Sequence, residues 1–144
     1  MSIPNLDRRS EGQADALSEA GSLLEAEDTR LLVDIGFMAL SHGFVASAEE
    51  VFLGVIAARP AQEAGQIGIA LARLHRGAVD DAVTILRRLP PSDAARLFLG
   101  LALNRQGDAE QAQSILGDVA ASAGAPFSRT AQDLLEAMRD RSGR

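Results

Sequence analysis

The chain has no cysteine, no tryptophan and no tyrosine, and its fourteen Lys and Arg residues are all arginine. Without cysteine there is no disulfide, no thiolate metal site and no thiol nucleophile, a composition compatible with a reducing, cytoplasmic home. Aromatic residues make up only 3% of the sequence. The stacking platforms and basic footprint that nucleic-acid binding needs are therefore missing, and no nucleic-acid partner is expected. Long apolar runs are absent too: Gly, Asp or Arg interrupts each one well short of the roughly 20 residues of a membrane span. No basic flank precedes an apolar leader, so the expectation is a cytoplasmic protein without membrane insertion.

What is abundant is alanine, at 26 of 144 residues, which favours helix and disfavours strand. The formal net charge is −6, and seven acids against three arginines within residues 1–30 place −4 of it there. The length suits one domain with its own core.

The spacing of small residues shows an internal repeat. Gly43, Gly77 and Gly107 are each followed five residues later by Ala48, Ala82 and Ala112, and four beyond that by Phe52, Leu86 and Leu116. The copies lie 34 and then 30 residues apart. A repeat of that length is one helical hairpin, which buries its apolar face only by stacking on its neighbours. The expected fold is all-α: three stacked hairpins and a C-terminal capping helix, an α-solenoid.

Residues 1–27 read as an acidic, partly disordered extension: residues 1–12 lack periodicity, and Ala16, Leu17, Ala20, Leu23 and Leu24 form one stripe on a conditional helix. Gly21 weakens that helix by about 1 kcal/mol relative to alanine. The repeat domain is expected over 28–144. Asp28 is placed to cap the first helix of hairpin one, which stops at Gly43, and Pro60 closes that hairpin. Pro90 and Pro91 end hairpin two early, which accounts for the shorter third spacing. Ser92 caps the next helix, and Ser128 or Thr130 caps the last one, whose Ala131, Leu134, Leu135 and Met138 oppose a charged outer face.

These residues resemble tetratricopeptide repeats over residues 28 to about 121. Gly36 and Gly100, with Ala70 in the second copy, match the small residue where the two helices cross. Gly43, Gly77 and Gly107 match the turn, and Pro60 matches the terminal proline. The family's tryptophan and tyrosine positions are aliphatic or polar here: Leu32, Gln66 and Arg96, then Ala39, Arg73 and Leu103. In proportion the chain is similar to the small tetratricopeptide chaperones of bacterial type III secretion, most of all in the runs Leu31–Gly43 and Phe98–Leu103. That resemblance implies a non-enzymatic chaperone that holds an amphipathic helix of a small secreted protein, a needle subunit, and prevents its premature polymerisation. Clients of the translocator kind, or a scaffold or assembly role, are the alternatives. The needle branch also implies a second small chaperone toward the N-terminus, with Leu17, Leu23, Leu24 and Leu31 as candidate contacts.

In such repeats the first helix of each hairpin lines the groove. The register assigns to it Val33, Phe37 and Leu40, then Ile67, Leu71 and Leu74, then Leu97 and Leu101, with Asn104 and Arg105 at the edge. Eight large apolar side chains on one concave surface would exceed the patch of about 300–600 Å² that monomers leave in water. Three occupants satisfy that requirement: a helix of a foreign partner, the chain's own segment Ala16–Leu24, or a second copy in a homodimer without client. A clamp for an acidic peptide tail is disfavoured, because these positions supply no lysine and few donors.

Nothing else in the sequence carries chemistry. His42 and His75 sit at the ends of successive first helices, where they suit the helix dipole better than a metal. The acids Glu49-Glu50, Asp80-Asp81 and Asp108-Glu110 fall in or near first turns of second helices. Arg73, Arg76, Arg87, Arg88, Arg96 and Arg105 read as solvated faces, with Arg105 able to pair with a bound helix. No cofactor or metal is expected.

Overall fold

The computed structural model describes the backbone of residues 6–144 and the side chains of residues 25–144. Seven helices follow one another in this part of the chain: α1 (Leu6–Ser41), α2 (Val45–Ala58), α3 (Glu63–His75), α4 (Val79–Arg88), α5 (Asp93–Gln106), α6 (Ala109–Ser122) and α7 (Phe127–Ser142). The described residues contain no strand.

The three repeated glycines make the turns. Gly43, Gly77 and Gly107 have φ of 81°, 80° and 97°, the left-handed region that a Cβ disfavours. Each turn folds the second helix back onto the first, and the repeated small and bulky residues meet there. Ala48, Ala82 and Ala112 are fully buried, as are Phe52 and Leu116, while Leu86 keeps only 2% exposure. The matching glycines of the first helices make room for them. A Cβ on Gly36 would stand 2.7 Å from the Phe52 ring, and one on Gly100 2.6 Å from Leu116. Gly68 of α3 approaches the same Phe52 ring from the next hairpin, leaving no space for a side chain.

Every helix packs on the next, but only one row also packs across hairpins. Close backbone approaches join α1 to α3, α3 to α5 and α5 to α7, whereas α2, α4 and α6 stand farther apart, with the long Arg87 side chain of α4 spanning the gap to donate to Gln111 of α6 at 3.0 Å. A stack held on one side and splayed on the other curves toward the held side. The inner row is therefore α1, α3, α5 and α7, and its free face is concave. The apolar core follows the stack as two clusters, one over α1–α3 and one over α3–α7, bridged by Phe37, Leu71 and Ile85, which pack on both. Phe37 meets Phe52 edge to face, with centroids 5.0 Å apart.

Between hairpins two and three the boundary carries a polar latch. The Ser92 hydroxyl accepts from the Ala95 amide at 3.0 Å, the expected cap, and donates to the Glu63 carboxylate at 2.7–2.8 Å. Glu49 of α2 receives Arg73 of α3 at 3.4 Å and Arg76, the residue that follows α3, at 2.7 Å, and Arg96 pairs with Asp93 at 2.8 Å. Three of the arginines expected on solvated faces are thus in ion pairs. Glu49 lies in the second turn of α2, so it acts on α3 and not on its own helix N-terminus.

Two expected caps are overturned. Asp28 lies inside α1, which runs unbroken from Leu6, so the boundary drawn at residue 27 falls within a helix. No breaker stands between Gly21 and Asp28, and Glu25, Ala26 and Glu27 favour helix over any turn. Thr29 also bonds back to the Glu25 carbonyl at 2.7 Å, as a mid-helix hydroxyl does. At the other end α7 begins at Phe127, one residue after Pro126, so Ser128 and Thr130 lie inside it. Thr130 bonds back to the Pro126 carbonyl at 3.1 Å.

Candidate partner-binding groove

The concave face has one strongly apolar hollow of about 360 Å³, lined by Phe37, Glu63, Ala64, Ile67, Ala94, Phe98 and Phe127. Four helices contribute: α1 gives Phe37, α3 gives residues 63, 64 and 67, α5 gives Ala94 and Phe98, and α7 gives Phe127. Three of the five phenylalanines of the chain converge there. Ala64 and Ala94 keep the floor low between the rings, because a methyl is all that stands at those two positions. Glu63 is the single charge on the rim, held in place by Ser92.

The ten residues assigned to the groove from sequence fall into three sets. Phe37 and Ile67 line the hollow. Val33, Leu71, Leu101 and Asn104 are half-buried along the inner row, and Arg105 is exposed in the last turn of α5. Leu40, Leu74 and Leu97 keep 4–5% exposure and belong to the core; Ile67, at 3%, forms the floor of the hollow. The free apolar surface is therefore smaller than eight open side chains would make it. Stacking of α1, α3 and α5 against one another covers the flank that the helical period alone leaves open.

Ala64, Ala94, Phe98 and Phe127 were not assigned to the groove from sequence. The spacing of residues 94, 98, 101 and 105 is a helical stripe, so Phe98 could have been found by placing it one turn ahead of Leu101. Phe127 was hidden by its role: α7 was read as a cap, whereas it is also the fourth member of the inner row, so its first residue reaches the groove.

Of the candidate contacts toward the N-terminus, Leu31 is 59% exposed on α1, and the side chains of Leu17, Leu23 and Leu24 lie outside the described residues. His75 ends α3 and His42 follows α1, both exposed. Among the described residues no group of three or more His, Cys, Asp or Glu side chains could hold a metal ion, and no helix is long and apolar enough to cross a membrane. The hollow offers a partner apolar contact with one carboxylate beside it, and among its lining residues no nucleophile and no paired acid. Comparison with models of known protein families, with curated proteins and with solved structures finds no match to this chain.

Proposed function

We propose that the protein is a helix-holding chaperone whose concave groove takes an amphipathic helix of a small exported protein and keeps that protein from assembling. The observation that carries this reading is the convergence of Phe37, Phe98 and Phe127 from three helices on one apolar hollow. Rings held on a rigid frame make preformed sites for the large side chains of a helix, the i, i+3, i+7 anchors of groove recognition. Burying three or four such anchors contributes about 1.5–3 kcal/mol each before association and ordering costs, enough for a stable complex.

The chaperone mechanism is competition for one stripe. A subunit that polymerises through an apolar helix face cannot do so while that face lies in the groove. The resemblance to type III secretion chaperones supplies the class of client, a needle subunit, and the cytoplasm as the place where masking matters.

Phe98→Glu tests the reading. Phe98 is half-buried, and its ring opens to the groove, so a charge there spoils the site more than the fold. Purified from the native host and analysed by intact mass, the wild-type chain should carry a stoichiometric small helical protein that the variant lacks, with unchanged helicity. Equal cargo on both proteins, or none on the wild type, contradicts the groove assignment.

A further inference from the structure

Glu63 is the one charge that lines the apolar hollow, and it also lines a second hollow of about 400 Å³ over the loops that enter α3 and α5, between Pro60 and Pro90. The two hollows share that residue and no other, and neither is lined by a basic side chain. Glu63 therefore stands where the apolar floor of the groove gives way to a polar margin carrying Gln62 and Gln66.

The hydrogen bonding of this carboxylate is incomplete. Both of its oxygens lie 2.7–2.8 Å from the Ser92 hydroxyl, which has a single proton to give, whereas a carboxylate offers about four lone pairs. Among the described residues no arginine or histidine forms an ion pair with it. The next repeat shows what is missing. Asp93 stands fourteen residues before Gly107, as Glu63 does before Gly77, and Arg96, three residues on, neutralises Asp93 at 2.8 Å. The residue in the place of Arg96 in the second hairpin is Gln66. The same position thus holds an acid in both hairpins, with its cation built in at one and absent at the other.

Glu63 is half-buried, so its free lone pairs depend on the water that reaches the mouth of the groove. A helix seated on Phe37, Phe98 and Phe127 excludes that water. Desolvating a carboxylate is heavily penalised unless the incoming chain brings a donor, and a cation serves best. The penalty falls on every helix that presents an apolar or acidic side chain there, so the position selects among cargoes as well as attracting one. Arginine and lysine suit it by shape too, since an aliphatic stem can lie on the apolar floor while its charged head reaches the margin. The net charge of −6 works in the same direction, by attracting basic partners at long range.

We propose that the helix taken up in the groove carries an arginine or lysine beside its apolar stripe, and that Glu63 receives it. The proposal rests on the groove being the binding site and adds the charge that the cargo must carry there.

The probe is a displayed library of amphipathic helices with large apolar residues fixed at i, i+3 and i+7 and the flanking positions randomised. Helices retained by the wild-type chain and lost on Phe98→Glu are groove binders, and these should be rich in arginine or lysine at one flanking position. For the best of them, fluorescence anisotropy should show affinity falling about tenfold when the base becomes glutamine or when Glu63→Gln is made, with little further loss when both are combined. Glutamine at position 63 keeps an acceptor for Ser92, so helicity should be unchanged. Gln66→Arg supplies the cation that the third hairpin has, and should abolish the preference for basic helices. Groove binders without basic enrichment, or a preference that survives Glu63→Gln or Gln66→Arg, overturn the proposal and leave the groove reading standing. The absence of any Phe98-dependent binder contradicts the groove reading and this proposal with it.

Discussion

The first and last helices of the stack each carry an apolar stripe, and the two stripes end up in opposite environments. On α7, Ala131 is fully buried and Met138 keeps 6% exposure, while Arg129, Gln132, Asp133, Glu136, Arg139 and Asp140 face outward. On α1 the outward face carries Leu31, Ile35 and Met38. A solenoid ends in water only where its terminal helix has a polar outer face. Among the described residues the C-terminal end therefore closes on a polar face and the N-terminal end presents an apolar one. The two methionines make the point in one residue type: Met138 is part of the fold, and Met38 is part of a surface.

The largest effect that separates the ends is expected at Met138. Met138→Ala should lower the unfolding free energy by about 2–3 kcal/mol, read from urea midpoints, since it empties a packed site under the cap. The interior can next be made to resemble the open end. Ala72→Met and Ala102→Met place the methionine of α1 at the repeat positions equivalent to Met38, on faces already filled by α2 and α4, and each should cost about 1–3 kcal/mol through overpacking. If either is neutral, the equivalence between those faces and the α1 stripe is wrong.

A smaller loss tests the boundary between hairpins. Ser92→Ala removes the cap of α5 and leaves Glu63 without its donor, for about 1 kcal/mol by thermal or urea unfolding. The smallest effect is expected on the open end itself. Met38→Ala should change unfolding by less than about 0.5 kcal/mol. A loss as large as that at Met138 would mean that α1 is covered from within the chain.

The features legible in the sequence were those set by local chemistry. Gly43, Gly77 and Gly107 announce left-handed turns because few other residues take that conformation, and Ala48, Ala82 and Ala112 announce close crossings because each is small opposite a bulky residue. Ser92 is a cap by the same local logic. What the sequence hid depends on neighbours that periodicity does not name. The 3.6-residue period puts Leu40, Leu74 and Leu97 on an apolar face, but whether that face meets a helix or the groove depends on how the hairpins stack. Asp28 has the chemistry of a cap, yet nothing on its N-terminal side stops the helix. Phe127 follows a proline at the start of a helix that looks purely terminal, and only the contact of α5 with α7 brings it to the groove.

The absence of tryptophan and tyrosine allows the groove to be watched directly. Phe127→Trp places the one indole of the chain on the wall of the hollow. The decisive measurement is the emission of this variant with its co-purified cargo and after the cargo is removed. The account predicts a shift to shorter wavelength in the loaded protein, because a bound helix takes water away from the ring. Identical spectra in the two states would contradict the placement of the cargo in the concave groove.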